Sequence, residues 1–284
     1  MSQAPTAGSI SLQSDSPEMA ETYNATSVHQ FNNGKILVDS LAMEAGDSVL
    51  DVGAGTGQLG AHVAELVGPT GRVVGIEPLA ARVEIARRRT TSNFEMRVGS
   101  AENLSQFADG TFDAVYLNSV FHWLNDKPGS LAEIFRVLKP GGRFAFNTTD
   151  SRRPHDIAKL VRQALAQESL ITKAAISTSN NSNTPEVLIS MVADAGFADC
   201  INTEHTMVDR HSDAESVIEW SASSQFGNFV AGLDRVDFAR FRQALVKLIE
   251  ARLNGDRIEL ERYLLFINAR KPRLSQAEVG QSAV

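Results

Sequence analysis

The chain has 284 residues, 43 % of them hydrophobic, with 34 acidic against 27 basic side chains and a formal net charge of −7. That is ample apolar material for one large domain or a core with a smaller cap, and the acidic balance argues against nucleic acid as a partner. The single cysteine, Cys200, excludes an intrachain disulfide and a cysteine-built cluster, and no metal site is expected.

The opening "MSQAPTAGSISLQSDS" is small and polar, lacks the basic and apolar regions of a leader, and reads as a flexible segment. No run approaches the roughly 18 apolar residues that span a bilayer, so no membrane span and a cytoplasmic location are expected. From Ser16 to Leu41 the apolar spacing predicts short helices. Strands and helices then alternate: "SVLDV", a helix over Gly57 to Val67, "RVVGIE", a helix over Leu79 to Arg89, then "FEMRVG" and "FDAVYLN". A helix from about Pro128 to Leu138 stops at Lys139-Pro140-Gly141-Gly142 and leads into "GRFAFNT". The strands are short and Val-rich, as when helices cover both faces, and the alternation predicts a doubly wound, Rossmann-like parallel sheet. Arg87-Arg88-Arg89 is read as a solvated helix end.

After Asp150 the rhythm changes. "IAKLVRQALAQESLI" is a helix, Ser177 to Thr184 a polar loop, and "PEVLISMVADAGF" a helix opened by Pro185 and closed by Gly196. A strand over Ala198 to Val208 follows. Helices from Ala214 to about Leu253 carry Trp220, Phe226, Phe229, Phe238 and Phe241, and "IELERYLLFINARK" is a final strand. The expected organisation is a flexible segment and helical lid at 1–45, a core at 46–210, a helical cap at 211–255, and the last strand with a tail at 256–284.

In a doubly wound sheet, ligands bind beyond the carboxyl ends of the strands where strand order reverses. The first strand ends in "VLDVGAGTGQLG", which holds two overlapping glycine spacings. G-T-G-Q-L-G suits a dinucleotide; D-V-G-A-G-T-G suits S-adenosylmethionine. Glu77, about twenty residues on, can accept hydrogen bonds from both ribose hydroxyls of either cofactor. Asp51 distinguishes them. A carboxylate beside the loop disfavours an anionic pyrophosphate and favours a cofactor carrying an ammonium and a sulfonium.

The ordered motifs "VLDVGAGTG", "VVGIEP", "GSAENL", "FDAVYLNSVFHW" and "LKPGGRF" resemble those of class I S-adenosylmethionine-dependent methyltransferases. The likeness is to the small-molecule branch of ubiquinone- and menaquinone-type and natural-product tailoring enzymes, and it covers roughly Gly46 to Asp150. The resemblance implies a seven-stranded sheet whose last strand, around Leu264 to Ala269, is antiparallel. It implies that Asp51, Gly53, Gly55 and Gly57 surround the methionine portion of the cofactor. Glu77 would hold the ribose and Pro78 or Leu79 flank the adenine. Asn118 and Ser119 would lie beside the sulfonium. The family's usual Gly-Asp-Ala is here Gly99-Ser100-Ala101, so adenine recognition falls to Ser100 and Ala101 without a charge. S-adenosylhomocysteine would be the product.

Methyl transfer is an in-line displacement, and a base is needed only where the acceptor must lose a proton. His122, four residues past Asn118, is the candidate for a base or a positioning group; a packed aromatic wall in "FHW" is the competing reading. Tyr23 and His29 could close over the substrate from the lid or be ordinary helix contacts, while His155 and His211 read as exposed. The lid and the cap would shape a pocket for a small, largely apolar or aromatic acceptor, and a homo-oligomer is compatible with this reading. Two alternatives stay open: an NAD-dependent oxidoreductase, although no Tyr is followed by the Lys of Y-x-x-x-K, and a non-catalytic S-adenosylmethionine-binding protein.

Overall fold

The computed structural model describes residues 17–174, 182–223 and 233–273. The expectations for the first fifteen residues, for most of the polar loop at 177–184, for Phe226 and Phe229 and for the end of the tail lie outside the described residues.

Two helices, α1 (Pro17–Thr26) and α2 (Val28–Ser40), precede the sheet. The alternating part follows as β1 (Ser48–Val52), α3 (Gln58–Val67), β2 (Arg72–Glu77), α4 (Ala80–Arg87), β3 (Phe94–Val98), β4 (Phe112–Asn118), α5 (Lys127–Val137) and β5 (Leu138–Thr149). Helices α6 (Asp156–Gln167) and α7 (Pro185–Asp194) lead to β6 (Ala198–His211). Then come α8 (Ala214–Ser223), α9 (Arg235–Glu250), the two-residue β7 (Leu253–Asn254) and β8 (Arg257–Arg270).

The sheet runs β3-β2-β1-β4-β5-β8-β6, with β7 paired only to β8. Strands β1 to β5 are mutually parallel, and β8 lies antiparallel between β5 and β6. The predicted seven-stranded, doubly wound sheet with its last strand reversed is therefore what forms. Strand order reverses at β1, whose neighbours β2 and β4 leave it in opposite directions, so a crevice opens beyond its carboxyl end.

Alternation along the strands divides the core in two. Leu50, Val52, Val74, Ile76, Val115 and Leu117 face α5 and α7. Val49, Val73, Ala114 and Tyr116 face α2, α3 and α4. Asp51 shares the parity of Val49, so its carboxylate is directed into the second layer rather than towards water. A third cluster gathers α6, α8, α9 and the start of β8 through Leu160, Val161, Val217, Phe241, Leu245 and Ile258. The cap thus draws in α6 as well as the helices expected after 211. It rests on the long antiparallel pair of β6 and β8, whose pairing continues to His211 opposite Ile258. No helix of the described residues is long and apolar enough to cross a membrane.

Candidate cofactor and acceptor site

Gly53 has φ of 74°, and a Cβ there would stand 2.4 Å from a methyl of Val120. Only glycine lets the loop press against the segment leaving β4. The amides of Gly53 and Ala54 donate to the Ile76 carbonyl, and that of Gly55 donates to Glu77 Oε2 at 3.0 Å. Glu77 Oε1 accepts from the Leu79 amide, so this buried carboxylate fastens the loop to the end of β2. Gly57, with φ of 78°, caps α3 against Ala86 and turns the chain into the helix; it is not among the residues lining the main cavity or its side recess. Gly60, the extra glycine of the dinucleotide spacing, lies inside α3, where a Cβ would stand 2.6 Å from the Phe94 ring. Helix–sheet packing accounts for it.

Asp51 is 2 % exposed, and its Oδ2 has no hydrogen-bond partner. The hydroxyl of Tyr116, its cross-strand partner, is buried and likewise makes no hydrogen bond of normal geometry. Burial lifts the Asp51 carboxyl to about 7; the Tyr116 phenol opposes this and the Glu77 charge adds to it. Asp51 opens into a small recess shared with Gly53, Gln30 and Asn118, beside the main cavity.

At the end of β4, Ser119 adopts φ of 60°. A non-glycine residue holds that conformation when its surroundings over-determine it. The agent is Asn147 on β5, fully buried. Its Oδ1 accepts from the Ser119 amide at 2.5 Å and its Nδ2 donates to Asn118 Oδ1 at 2.8 Å. Asn118 Nδ2 in turn donates to the Gln30 carbonyl of α2. Asn147 sits in a strand and bears no motif, so sequence reasoning missed it.

These elements open into one cavity of about 540 Å³. Gly53, Gly55, Glu77, Pro78, Ser100 and Ala101 line one end, and Asn118 and Ser119 the middle. His122, His155, Trp220, Arg262 and Leu264 also line it. His122 is 8 % exposed, with Nδ1 3.2 Å from Thr148 Oγ1. Burial, and secondarily the Lys127 ammonium, depress it to about 3. His155 accepts the Tyr263 amide at Nδ1 across 3.1 Å, which places its proton on Nε2. Burial and the Arg262 charge hold it near 3 as well.

The expectation of exposure for His155 and His211 is therefore wrong: they are 6 % and 7 % exposed. Their local sequence is polar, but β8, over a hundred residues on, covers His155, and Trp220 of the following helix packs on His211. His211 packs on Trp220 at 5.6 Å between ring centroids, and His29 approaches both rings. His29 Nδ1 also donates to Asp209 Oδ1 at 2.9 Å, and the same carboxylate accepts from Nε and Nη2 of Arg262. Burial raises Asp209, but the hydrogen bonds from His29 and Arg262 outweigh it and hold the carboxyl well below the usual range.

Tyr23 of α1 covers the glycine loop, its ring 3.4 Å from the place of a Gly55 Cβ and beneath the Arg82 guanidinium at 4.3 Å. The arginine run does not form a purely solvated helix end. Arg88 pairs with Glu21, and Arg89 donates to the Thr56 carbonyl and to Asn24 Oδ1. These arginines fasten α1 across the loop. Arg89→Ala removes two hydrogen bonds of about 1 kcal/mol each, so amide exchange across 17–26 should quicken roughly tenfold or more while that of β1 to β5 stays unchanged. Hydrogen-exchange mass spectrometry checks this, and equal acceleration throughout would mean that Arg89 supports the whole fold.

Residues 50–146 match the family model described as "Methyltransferase domain". That match covers the glycine loop, Glu77 and β4, the segments whose motifs resemble those of class I S-adenosylmethionine-dependent methyltransferases. The chain is 39 % identical over 104 residues to the demethylmenaquinone methyltransferase of Symbiobacterium thermophilum, a match covering 35 % of this chain and 41 % of that protein, about two fifths of the relative's length. Over 89 % of this chain and all of the other, it is 26 % identical to the trans-aconitate 2-methyltransferase of Deinococcus radiodurans. Among solved structures, the Haemonchus contortus phosphoethanolamine N-methyltransferase 2 with S-adenosyl-L-methionine superposes with a TM-score of 0.58 and 16 % identity. That likeness covers 92 % of this chain and 59 % of that one, and it shows the fold alone.

Proposed function

We propose that the protein transfers a methyl group from S-adenosylmethionine to a small molecule whose body is largely apolar or aromatic. The observation that carries this reading is the single cavity joining the glycine loop to a wall of Val120, Trp123, Leu124, Trp220 and Leu264. The residues present fit the cofactor. The Asp51 oxygen without a partner suits a cation, and Gly53 leaves the room that a Cβ would take. Asp51, Gly53 and Gly55 would hold the methionine part and Glu77 the ribose. Pro78, Ser100 and Ala101 would flank the adenine, and Asn118 and Ser119 the sulfur. When bound, the cofactor supplies an electrophilic methyl on a positive sulfur. The relatives named for demethylmenaquinone and trans-aconitate support a small-molecule acceptor.

The chain's own contribution is alignment and exclusion of water. Asn147 fixes Asn118 and the strained Ser119, Tyr23 closes the loop side, and His122 presents a neutral imidazole beside Thr148. With a value near 3, His122 stays uncharged throughout neutral pH and serves to position the acceptor rather than to take its proton. The rate constant kcat should therefore show no acid limb with a midpoint between about 6 and 7, the ordinary histidine range. His122→Asn should lower kcat roughly tenfold without reshaping that profile. A limb in that range that disappears in His122→Asn would make His122 the base.

Calorimetry with S-adenosylmethionine and with NAD, followed by S-adenosylhomocysteine release over a panel of small aromatic and apolar acceptors, tests the proposal. Binding of NAD alone would support an oxidoreductase, and cofactor binding without turnover on any acceptor a non-catalytic role.

A further inference from the structure

The far end of the cavity holds a cation whose outward edge has no hydrogen-bond partner among the described residues. Arg262 stands on β8 two residues before Leu264, which pairs with Thr149 at the close of β5. It therefore projects just past the carboxyl ends of the parallel strands, and both Arg262 and Leu264 line the cavity. The side chain is 6 % exposed. Asp209, 2 % exposed, receives Nε and Nη2 side-on, with His29 as a further donor to that carboxylate. Asp209 fixes the orientation of the guanidinium but does not itself line the cavity.

Nη1, with its two N–H groups, makes no hydrogen bond to any described residue. A guanidinium is always charged, and these outward donors belong to a side chain that lines the cavity, where a ligand can accept from them. Around it stand Trp220, with the Arg262 Cζ 5.8 Å from its ring centroid, and His155, which burial and Arg262 hold neutral. His211 and Lys159 are the other titratable groups near this wall, and neither lines the cavity. A ligand entering this end meets one oriented positive fork on an apolar, aromatic surface. Planar forks of this kind match the two oxygens of a carboxylate.

We infer that Arg262 binds a carboxylate of the methyl acceptor, so that the protein selects aromatic or apolar acids over their neutral analogues. This rests on the proposed methyl transfer and narrows its substrate class.

The test uses the whole chain saturated with S-adenosylhomocysteine, titrated with benzoate and cinnamate and, separately, with benzamide and cinnamamide, followed by calorimetry or ligand-observed NMR. Acids should bind roughly ten- to a hundredfold more tightly than their amides, the range of a charge-assisted hydrogen-bonded pair. Arg262→Lys keeps a cation opposite Asp209 but loses the planar fork. It should erase most of that preference while leaving amide and S-adenosylhomocysteine binding unchanged. Equal binding of acids and amides, no acid binding up to roughly 10 mM, or an undiminished preference in a folded Arg262→Lys protein each overturns the inference. Failure to bind S-adenosylhomocysteine at all would instead overturn the methyltransferase reading beneath it.

Discussion

Asp51→Asn is expected to stabilise the ligand-free protein and weaken its hold on the cofactor with one substitution. The carboxyl is buried among Val49, Leu50 and Val52, and burial raises it to about 7 against 3.8 in an unfolded chain. Between those values the folded state binds more protons than the unfolded one, so stability falls as pH rises from about 4 to about 7. This is opposite to the behaviour of an ion-paired carboxylate. At 1.36 kcal/mol per unit, the deficit above pH 7 reaches at most about 4 kcal/mol. Asparagine has no charge to bury and escapes it. At pH 8 the melting temperature of Asp51→Asn should exceed that of the wild type by several degrees, and below about pH 3.5 the difference should vanish.

The same carboxylate should repay its cost when a cation arrives. A charge-assisted hydrogen bond contributes about 1.5–3 kcal/mol, so Asp51→Asn should bind S-adenosylmethionine roughly ten- to a hundredfold more weakly. Wild-type affinity should climb with pH up to about 7 and level off above it, because the bound cation favours the ionised form; the affinity of the asparagine variant should stay flat. Calorimetry at pH 6, 7 and 8 alongside thermal melts checks both halves. An unchanged affinity would show that Asp51 does not touch the cofactor, and an unchanged melting temperature at pH 8 that its burial carries no charge penalty.

What could be read in the sequence was what local pattern encodes. Strands β1 to β4 are short apolar runs with glycine or proline close to their ends, and the helices between strands carry capping signals such as Asp126 before Pro128. The glycine loop and Glu77 have a spacing set by one strand–helix–strand unit, so their meeting at the crevice follows from the topology. The residues that escaped notice depend on distant pairing. Arg262 in "ELERYLL" has the look of a solvent-facing position on an alternating strand; only the register of β8 against β6 brings it to Asp209. His155 sits in the polar "RRPHD", yet the amide of Tyr263, over a hundred residues away, buries it. The strand predicted to end at Val208 runs on to His211 because its partner does. Asn147 follows the apolar run Phe144-Ala145-Phe146 of β5 with nothing to mark it, and its role shows only once β4 lies beside it.

The Asp209–Arg262 pair should produce the largest loss of stability from a single change. Both side chains are at least nine-tenths buried, and Asp209 is held far below the ordinary carboxylate range, with Arg262 and His29 outweighing its desolvation. Removing the acid in Asp209→Leu strands a buried guanidinium that cannot lose its proton, at a cost of about 3–5 kcal/mol. For a chain of this size that corresponds to roughly 5–10 °C in melting temperature. The double variant Asp209→Leu/Arg262→Met replaces the pair with apolar volume and should recover most of the loss, because a well-packed apolar pair can equal a buried ion pair. The pH dependence separates them further. A carboxyl with a depressed folded value contributes stability that is present above about 4 and is lost as pH falls through the folded value. The wild type should therefore lose this share in acid, and the double variant should have none to lose. Urea unfolding of the three proteins at pH 7 and pH 3 measures both effects. A single-variant cost below about 1 kcal/mol would place the pair among solvent-screened surface bridges. A double variant as unstable as the single would mean that the geometry of the pair, rather than the stranded charge, holds β6 and β8 to the cap. Should the double variant fold and still bind S-adenosylhomocysteine, it becomes the cleanest protein in which to look for lost discrimination between acids and amides: the cation is gone and no charge is left buried behind it.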